Sequence, residues 1–261
     1  MQSKHPWISL ALSAAVIAAA GYAGYRMMRH YMAVEVVNAQ VRVTPFRIET
    51  LGYSFKPEST SGEYAFRRIA ARTTQGARVL LENTNRMPAE SFARKIEFPD
   101  GRFLTVADFL KMKATGRFSV EEIANRRRAN DRLPPDCALF RNDLVIGNTT
   151  AHGEPLVTIQ NTDPQGMRYT VLRAPRLSCV DVAWTYEKKG SDGALTKLSE
   201  ARLVSLAVAE PEATLFDPGT DYREAPPSEL QRTFARSIGV TDCTECEKQW
   251  AKDDNYYHSR Q

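Results

Sequence analysis

CVDVAWTYEKKGSDGALTKLSEARLVSLAVA, residues 179–209, decides the fold class. Val180, Val182, Trp184 and Tyr186 fall on alternate positions, the period of a strand that buries one face. Gly190-Ser191-Asp192-Gly193 supplies residue types that tolerate the backbone of a tight turn. Residues 195–209 then return as an apolar-rich partner strand. One hairpin is marginal in water, so this one needs further strands beside it. They are found on either side of it. GMRYTVLRAP (166–175) leads into the hairpin, and VEVVNAQVRV (34–43), GEYAFRRIAART (62–73) and ARVLLEN (77–83) read as strands between polar turns. SFARKIEF and RFLTV flank Pro99-Asp100-Gly101 as a second hairpin.

Helical signals are few. ADFLKMK (107–113) predicts one or two helical turns. Ser119-Val120-Glu121-Glu122 is a capping box and predicts a helix over 120–129. Ser228 is the expected cap of ELQRTFARSI (229–238), and Asp242 with Glu245 repeats the box before CTECEKQWAK (243–252). The expected class is α+β: an N-terminal transmembrane or signal helix, then a curved antiparallel β-sheet domain with few short helices. The expected divisions are 1–33 for the signal-anchor or signal peptide, 34–227 for the β-rich domain and 228–261 for a helical extension.

The chain has 261 residues, 43% apolar and 25% charged, ample for a buried core. Its net charge is +4, of which Lys4, Arg26 and Arg29 in the acid-free segment 1–33 contribute three. The body is thus nearly neutral, which argues against nucleic-acid binding, where a concentrated basic face must neutralise phosphates. Trp7 to Tyr25 is uncharged over 19 positions, enough to span roughly 30 Å of hydrocarbon as a helix. Trp7, Tyr22 and Tyr25 sit where interfacial aromatics belong. The competing reading is a cleaved signal peptide, with Ala18-Ala19-Ala20 or Gly21-Tyr22-Ala23 as small-residue sites. Both readings make this segment an export signal, with membrane contact through residues 7–25.

Four segments occur in order: IEFPDGRFLTVADFLKMKATG (96–116), RRRANDRLPPDCALF (126–140), LRAPRLSCVDVAWTY (172–186) and ARLVSLAVAEPEATLFDPGTDYREAPPSE (201–229). This succession resembles an uncharacterised family of exported bacterial proteins, similar in outline to lipoprotein-carrier-like folds. The likeness covers roughly residues 90–228 and rests on the PDGR hairpin, a Cys after a Pro pair, a second Cys before a long hairpin, and an EP…LF…Y closing segment. It implies a curved antiparallel sheet partly wrapped around helices. It assigns no catalytic residue and does not extend to the C-terminal C-x-x-C. The implied location is the bacterial periplasm or cell surface, membrane-anchored, or secreted if the leader is cleaved.

In an exported protein an even number of cysteines points to disulfides. Cys137 and Cys179 each sit where a loop meets a strand. A bridge over a loop of roughly 40 residues contributes on the order of 3–4 kcal/mol; the alternative is two buried thiols acting as small hydrophobes. Cys243 and Cys246 lie in the first turns of the last expected helix, where the dipole lowers a thiolate pKa. No strand precedes them as in a βαβ redox site, and His258 is the one nearby histidine for a metal. A local disulfide, a redox pair and half a metal site are the three readings, in that order.

His152 and Glu154 pair a base with a carboxylate, but no nucleophile elbow, HExxH or Gly-rich phosphate loop accompanies them. A surface turn is the simpler account, and Arg126-Arg127-Arg128 reads as a solvated helix end. No catalytic residue, metal or cofactor is therefore expected. The expected function is non-enzymatic: a membrane-anchored extracytoplasmic protein that binds a partner protein or an apolar ligand on a β-sheet scaffold. Val182, Trp184, Tyr186, Val204, Leu206 and Val208 are the expected lining of the sheet's buried face. The alternative is a thiol–disulfide redox protein using Cys243 and Cys246.

Overall fold

The computed structural model describes residues 43–56, 62–130, 133–190 and 193–240, without the side chains of 126–130. The expected anchor, all of the expected strand 34–43 but Val43, and the expected helix bearing Cys243 and Cys246 lie outside these residues, and Val43 itself is not in a strand. Among the described residues no helix is long and apolar enough to cross a membrane.

The elements, in chain order, are β1 (Phe46–Ser54), β2 (Glu63–Arg72), β3 (Arg78–Thr84), β4 (Ala93–Glu97), β5 (Arg102–Ala107), β6 (Met112–Arg117) and α1 (Val120–Asn130). There follow β7 (Leu144–Ala151), β8 (Glu154–Thr162), β9 (Met167–Ala174), β10 (Val180–Lys189), β11 (Leu195–Ala207), β12 (Arg223–Glu224) and α2 (Pro227–Ser237). They form a twelve-stranded sheet in the order β12-β6-β5-β4-β3-β2-β1-β11-β10-β9-β8-β7. Every pairing is antiparallel except β12 with β6. Two meanders meet where β1 pairs with β11, Ile48 opposite Leu206 and Gly52 opposite Ala201.

The two hairpins form as the turn chemistry requires. Trp184 stands opposite Ala201, and Tyr186 opposite Ser199. In the other hairpin Phe98 N donates to Arg102 O at 2.8 Å, and Gly101 takes φ +86°, a conformation other residues rarely adopt. The capping box is reciprocal: Ser119 N donates to Glu122 Oε2 at 2.7 Å, and Glu122 N to Ser119 Oγ at 3.0 Å.

One expectation is met only at its lower bound, one fails, and three strands were not read. In ADFLKMK only Asp108–Leu110 coil, as a 3₁₀ turn; Lys111 turns left-handed at φ 49° and the chain continues as β6. Ser228 is not a cap: Pro226 holds that position, Pro227 begins α2, and Ser228 is buried. A proline already fixed near helical φ starts a helix without a side-chain acceptor. Strands β1, β7 and β8 went unread, because Thr50 and Gly52 in β1 and Gly-Asn-Thr-Thr in β7 dilute the apolar alternation.

The registers carry one face of the sheet across from Ala114 through Thr105, Lys95 and Leu80 in β6 to β3. The same face continues through Phe66, Gly52, Ala201, Trp184, Val171 and Ile159 in β2 to β8. At one end α2 lies on it, packing Leu230 and the preceding Ala225 on Met112 and Ala114. At the other end the segment around Cys137 covers Val157, Ile159 and Val171. The opposite face is closed by the chain after β11, whose Leu215 and Phe216 pack over Ile69, Val79, Leu81 and Ile96. Burying each such aliphatic side chain stabilises the fold by about 1.5–3 kcal/mol.

Candidate functional site

Between α2 and the Cys137 segment, the first face carries a line of aromatic rings. Phe66 of β2 stacks on Trp184 of β10, centroids 6.2 Å apart across β1 and β11. Trp184 meets Tyr186 edge-on at 5.2 Å, and Tyr186 stacks on Tyr169 of β9 at 4.6 Å. Each contact adds about 0.5–1.5 kcal/mol beyond area burial. The reach from β2 to β10 depends on Gly52, opposite Phe66, and on Ala201. A Cβ at Gly52 would stand 2.1 Å from the Phe66 ring, so the ring lies directly on the bare backbone of β1. All four rings are half-buried, so each offers apolar surface while held on a sheet.

An ion pair flanks this strip. Arg68, on the same face as Phe66, donates from Nε and Nη2 to Glu82 Oε2 at 3.0 and 2.7 Å, and its guanidinium lies 4.8 Å from the Phe66 centroid. Largely apolar sites with a few placed polar groups are the usual form of ligand-binding surface. Burial pushes the phenols of Tyr169 and Tyr186 well above their ordinary range, so both remain neutral. Tyr169 donates to Asp181 Oδ2 at 3.2 Å.

Behind Tyr169 lies a charged cluster that fixes the Cys137 segment. Arg173, 2% exposed, donates from Nε to Asp181 Oδ1 at 2.7 Å. Its Nη1 donates to Asp143 Oδ2 at 2.9 Å and to Cys137 O at 2.8 Å. Asp143 also accepts from the backbone of Leu139 and Phe140 and from Asn161 Nδ2. One guanidinium thus serves two buried carboxylates, and burial pushes Asp181 well above the usual carboxylate range. Cys137 and Cys179 are bonded, with Cα atoms 5.4 Å apart, and tie the segment to the start of β10.

The six expected lining residues separate into three environments. Trp184 and Tyr186 belong to the strip. Val182 and Leu206 are buried in a cluster with Phe46, Ile48 and Leu156. Val204 and Val208 are 45% and 42% exposed, so they do not line the buried face. Bulges set two of these six positions. Val204 is the extra residue where β11 slips against β1, and Val182 the extra residue where β10 slips against β9. Cys243 and Cys246 lie outside the described residues. His152 is exposed in a tight turn at φ 52°, while Glu154 is buried with Arg176 at 3.5 Å. Among the described residues no group of three His, Cys, Asp or Glu side chains could hold a metal ion. The sequence reading missed Phe66, Tyr169 and the Arg173 cluster. A glycine inside an alternating strand, Gly52, was the one local signal of a close approach.

No protein-family model and no curated protein matches the chain. Solved structures do match in outline. An uncharacterised conserved protein from Thermus thermophilus shares 7% identity over 76% of this chain and 98% of its own, with TM-score 0.36. The Pseudomonas aeruginosa MucA/MucB complex matches at 13% identity over 76% of this chain and 64% of that chain, with TM-score 0.40. A LolA superfamily protein from Nitrosomonas europaea matches at 9% identity over 71% and 96%, with TM-score 0.27. The lipoprotein-carrier-like group that residues 90–228 resemble is therefore among the structural neighbours. These likenesses concern the outline of the fold.

Proposed function

We propose that the strip Phe66–Trp184–Tyr186–Tyr169 is a docking surface for an apolar chain, either an acyl ligand or an apolar stretch of a partner protein. The protein would act by binding rather than by catalysis. The single observation that carries this reading is the strip itself: four half-buried rings in mutual contact on one face of a rigid sheet. Aromatic anchors of this kind supply large contact area at little conformational cost. The Cys137–Cys179 bridge favours an oxidising compartment, and the uncharged segment 7–25 favours tethering at a membrane. Together they support a binding face outside the cytoplasm.

The test is titration of the full chain in detergent with a fluorescent long-chain acyl probe and, separately, an apolar peptide. Saturable binding of one of them is expected, weakened about tenfold or more in Trp184→Ser, the scale of losing an aromatic anchor. Equal affinity in both proteins, or no saturable binding of either probe, rules the surface out.

A further inference from the structure

Arg68 and Glu82 stand directly opposite each other on β2 and β3, on the ring-bearing face and two residues along β2 from Phe66. Arg68 Nε and Nη2 converge on a single oxygen, Glu82 Oε2, at 3.0 and 2.7 Å. This is not the parallel fork in which a guanidinium and a carboxylate use both oxygens. It leaves one donor and one acceptor over. Arg68 Nη1 and Glu82 Oε1 have no hydrogen-bond partner among the described residues, and the two side chains are 22% and 21% exposed. The guanidinium lies 4.8 Å from the Phe66 centroid at one end of the strip. At the other end burial raises the Tyr169 phenol, and Arg68 is one of two arginines whose charge opposes that rise. The pair therefore belongs to the strip along its whole length.

The sheet itself chooses between the two kinds of apolar chain. The rings rise from β2, β9 and β10, and each of these strands has a bonded neighbour on both sides. Their main-chain N–H and C=O groups are spent within the sheet. A peptide laid over the rings would bring its own N–H and C=O groups to a surface with no main-chain partner for them, a cost that backbone groups rarely bear. An acyl chain makes no such demand. Charge then selects the polar end of the ligand. A purely anionic head would meet the open edge of Arg68 but also the open carboxylate oxygen of Glu82 beside it, and a purely cationic head would meet the reverse. A head that carries a phosphate ester and a primary ammonium satisfies both. Guanidinium matches the oxygens of a phosphate, and the ammonium N–H donates to the spare carboxylate oxygen.

We infer that Arg68 and Glu82 form the headgroup site of the aromatic strip, and that its ligand is a zwitterionic phospholipid of the phosphoethanolamine type. The phosphate sits on Arg68, the ammonium on Glu82, and one acyl chain on the rings. The inference rests on the reading of the strip as a docking surface and adds the class of its ligand. The test is native mass spectrometry of the full chain in mild detergent with equimolar dioleoyl phosphatidylethanolamine, phosphatidylglycerol and phosphatidylcholine. The phosphatidylethanolamine adduct is expected to exceed each of the others by about tenfold. Glu82→Gln should bring phosphatidylglycerol level with phosphatidylethanolamine, a change of preference that a merely structural role would not produce. Arg68→Gln should weaken all three about tenfold while an uncharged acyl ester still binds. Equal adducts of the three lipids on the wild-type chain overturn the headgroup site and leave the strip standing, and this arm needs no variant to fold. A preference that persists in Glu82→Gln, or binding of an apolar peptide and of no lipid, likewise overturns the headgroup site alone. The absence of any lipid or peptide adduct overturns the strip as well.

Discussion

The two ends of the sheet solve the same problem differently. At the β6 end the chain returns to cover its own edge. Arg223 N donates to Lys111 O at 2.9 Å, Ala225 N to Lys113 O at 2.8 Å, and Glu224 Oε1 accepts from Thr115 N at 3.0 Å. Helix α2 then buries Met112 and Ala114. At the β7 end no described strand covers the edge, and Leu144, Val145 and Ile146 are exposed among the described residues. Yet this is the end with a disulfide and a buried charge cluster a few strands inward. One end is closed by local backbone pairing and aliphatic packing; the other holds Tyr169 and Trp184 of the half-buried aromatic strip against the disulfide-tied Cys137 segment. Rigidity under an exposed surface is what binding requires, since little ordering cost then remains when a ligand arrives.

That contrast can be broken from either side. The largest effect is expected at the braced end. Arg173→Met leaves Asp143 and Asp181 buried without their cation and should cost about 3–5 kcal/mol in guanidinium unfolding; a loss below about 1 kcal/mol would show that the cluster does not brace the segment. Replacing Cys137 and Cys179 together by Ser should cost about 3–4 kcal/mol, because the bridge closes a loop with sequence separation 42. At the covered end, Leu230→Ala, at a side chain 3% exposed, should cost about 2–3 kcal/mol through a cavity against Met112 and Ala114. Acyl-probe binding should survive Leu230→Ala, whereas Arg173→Met should weaken it by loosening Asp181, which holds the Tyr169 hydroxyl, and the Cys137 segment.

The smallest effect is a pH dependence. Asp181 has a folded pKa raised by burial above its ordinary 3.8. The folded state therefore holds this proton more tightly than the unfolded chain does. The group costs no stability below the unfolded value; the penalty grows as pH rises from about 4 towards the folded pKa and is constant above it. Asp181→Asn should flatten that slope in denaturation midpoints measured from pH 4 upward. An unchanged slope would assign it to another group.

The sequence disclosed what is local. The capping box at Ser119, the Pro-Asp-Gly hairpin and the Trp184 hairpin each depend on residues a few positions apart, and each formed. The aromatic strip was half legible: alternation put Trp184 and Tyr186 on one face. Phe66 and Tyr169 join them only through the registers of β1 with β2 and of β9 with β10, and those are set by long-range pairing. One bulge defeated alternation at Val204, which faces solvent, whereas Val182, the extra residue of a second bulge, is buried in the core. Lys111 shows the same limit on a smaller scale, since one left-handed residue ended the expected helical segment after a single turn and the chain continued as strand β6.

The most direct test of the central claim is native mass spectrometry of the full chain purified from its own cells in mild detergent, beside the Gly52→Val variant. Valine there would lift Phe66 off β1 and separate it from Trp184. The account predicts a discrete acyl-bearing or peptide adduct on the wild-type chain that is lost from Gly52→Val while the Cys137–Cys179 bridge persists. An adduct-free wild type, or an adduct equally occupied in both proteins, would contradict it.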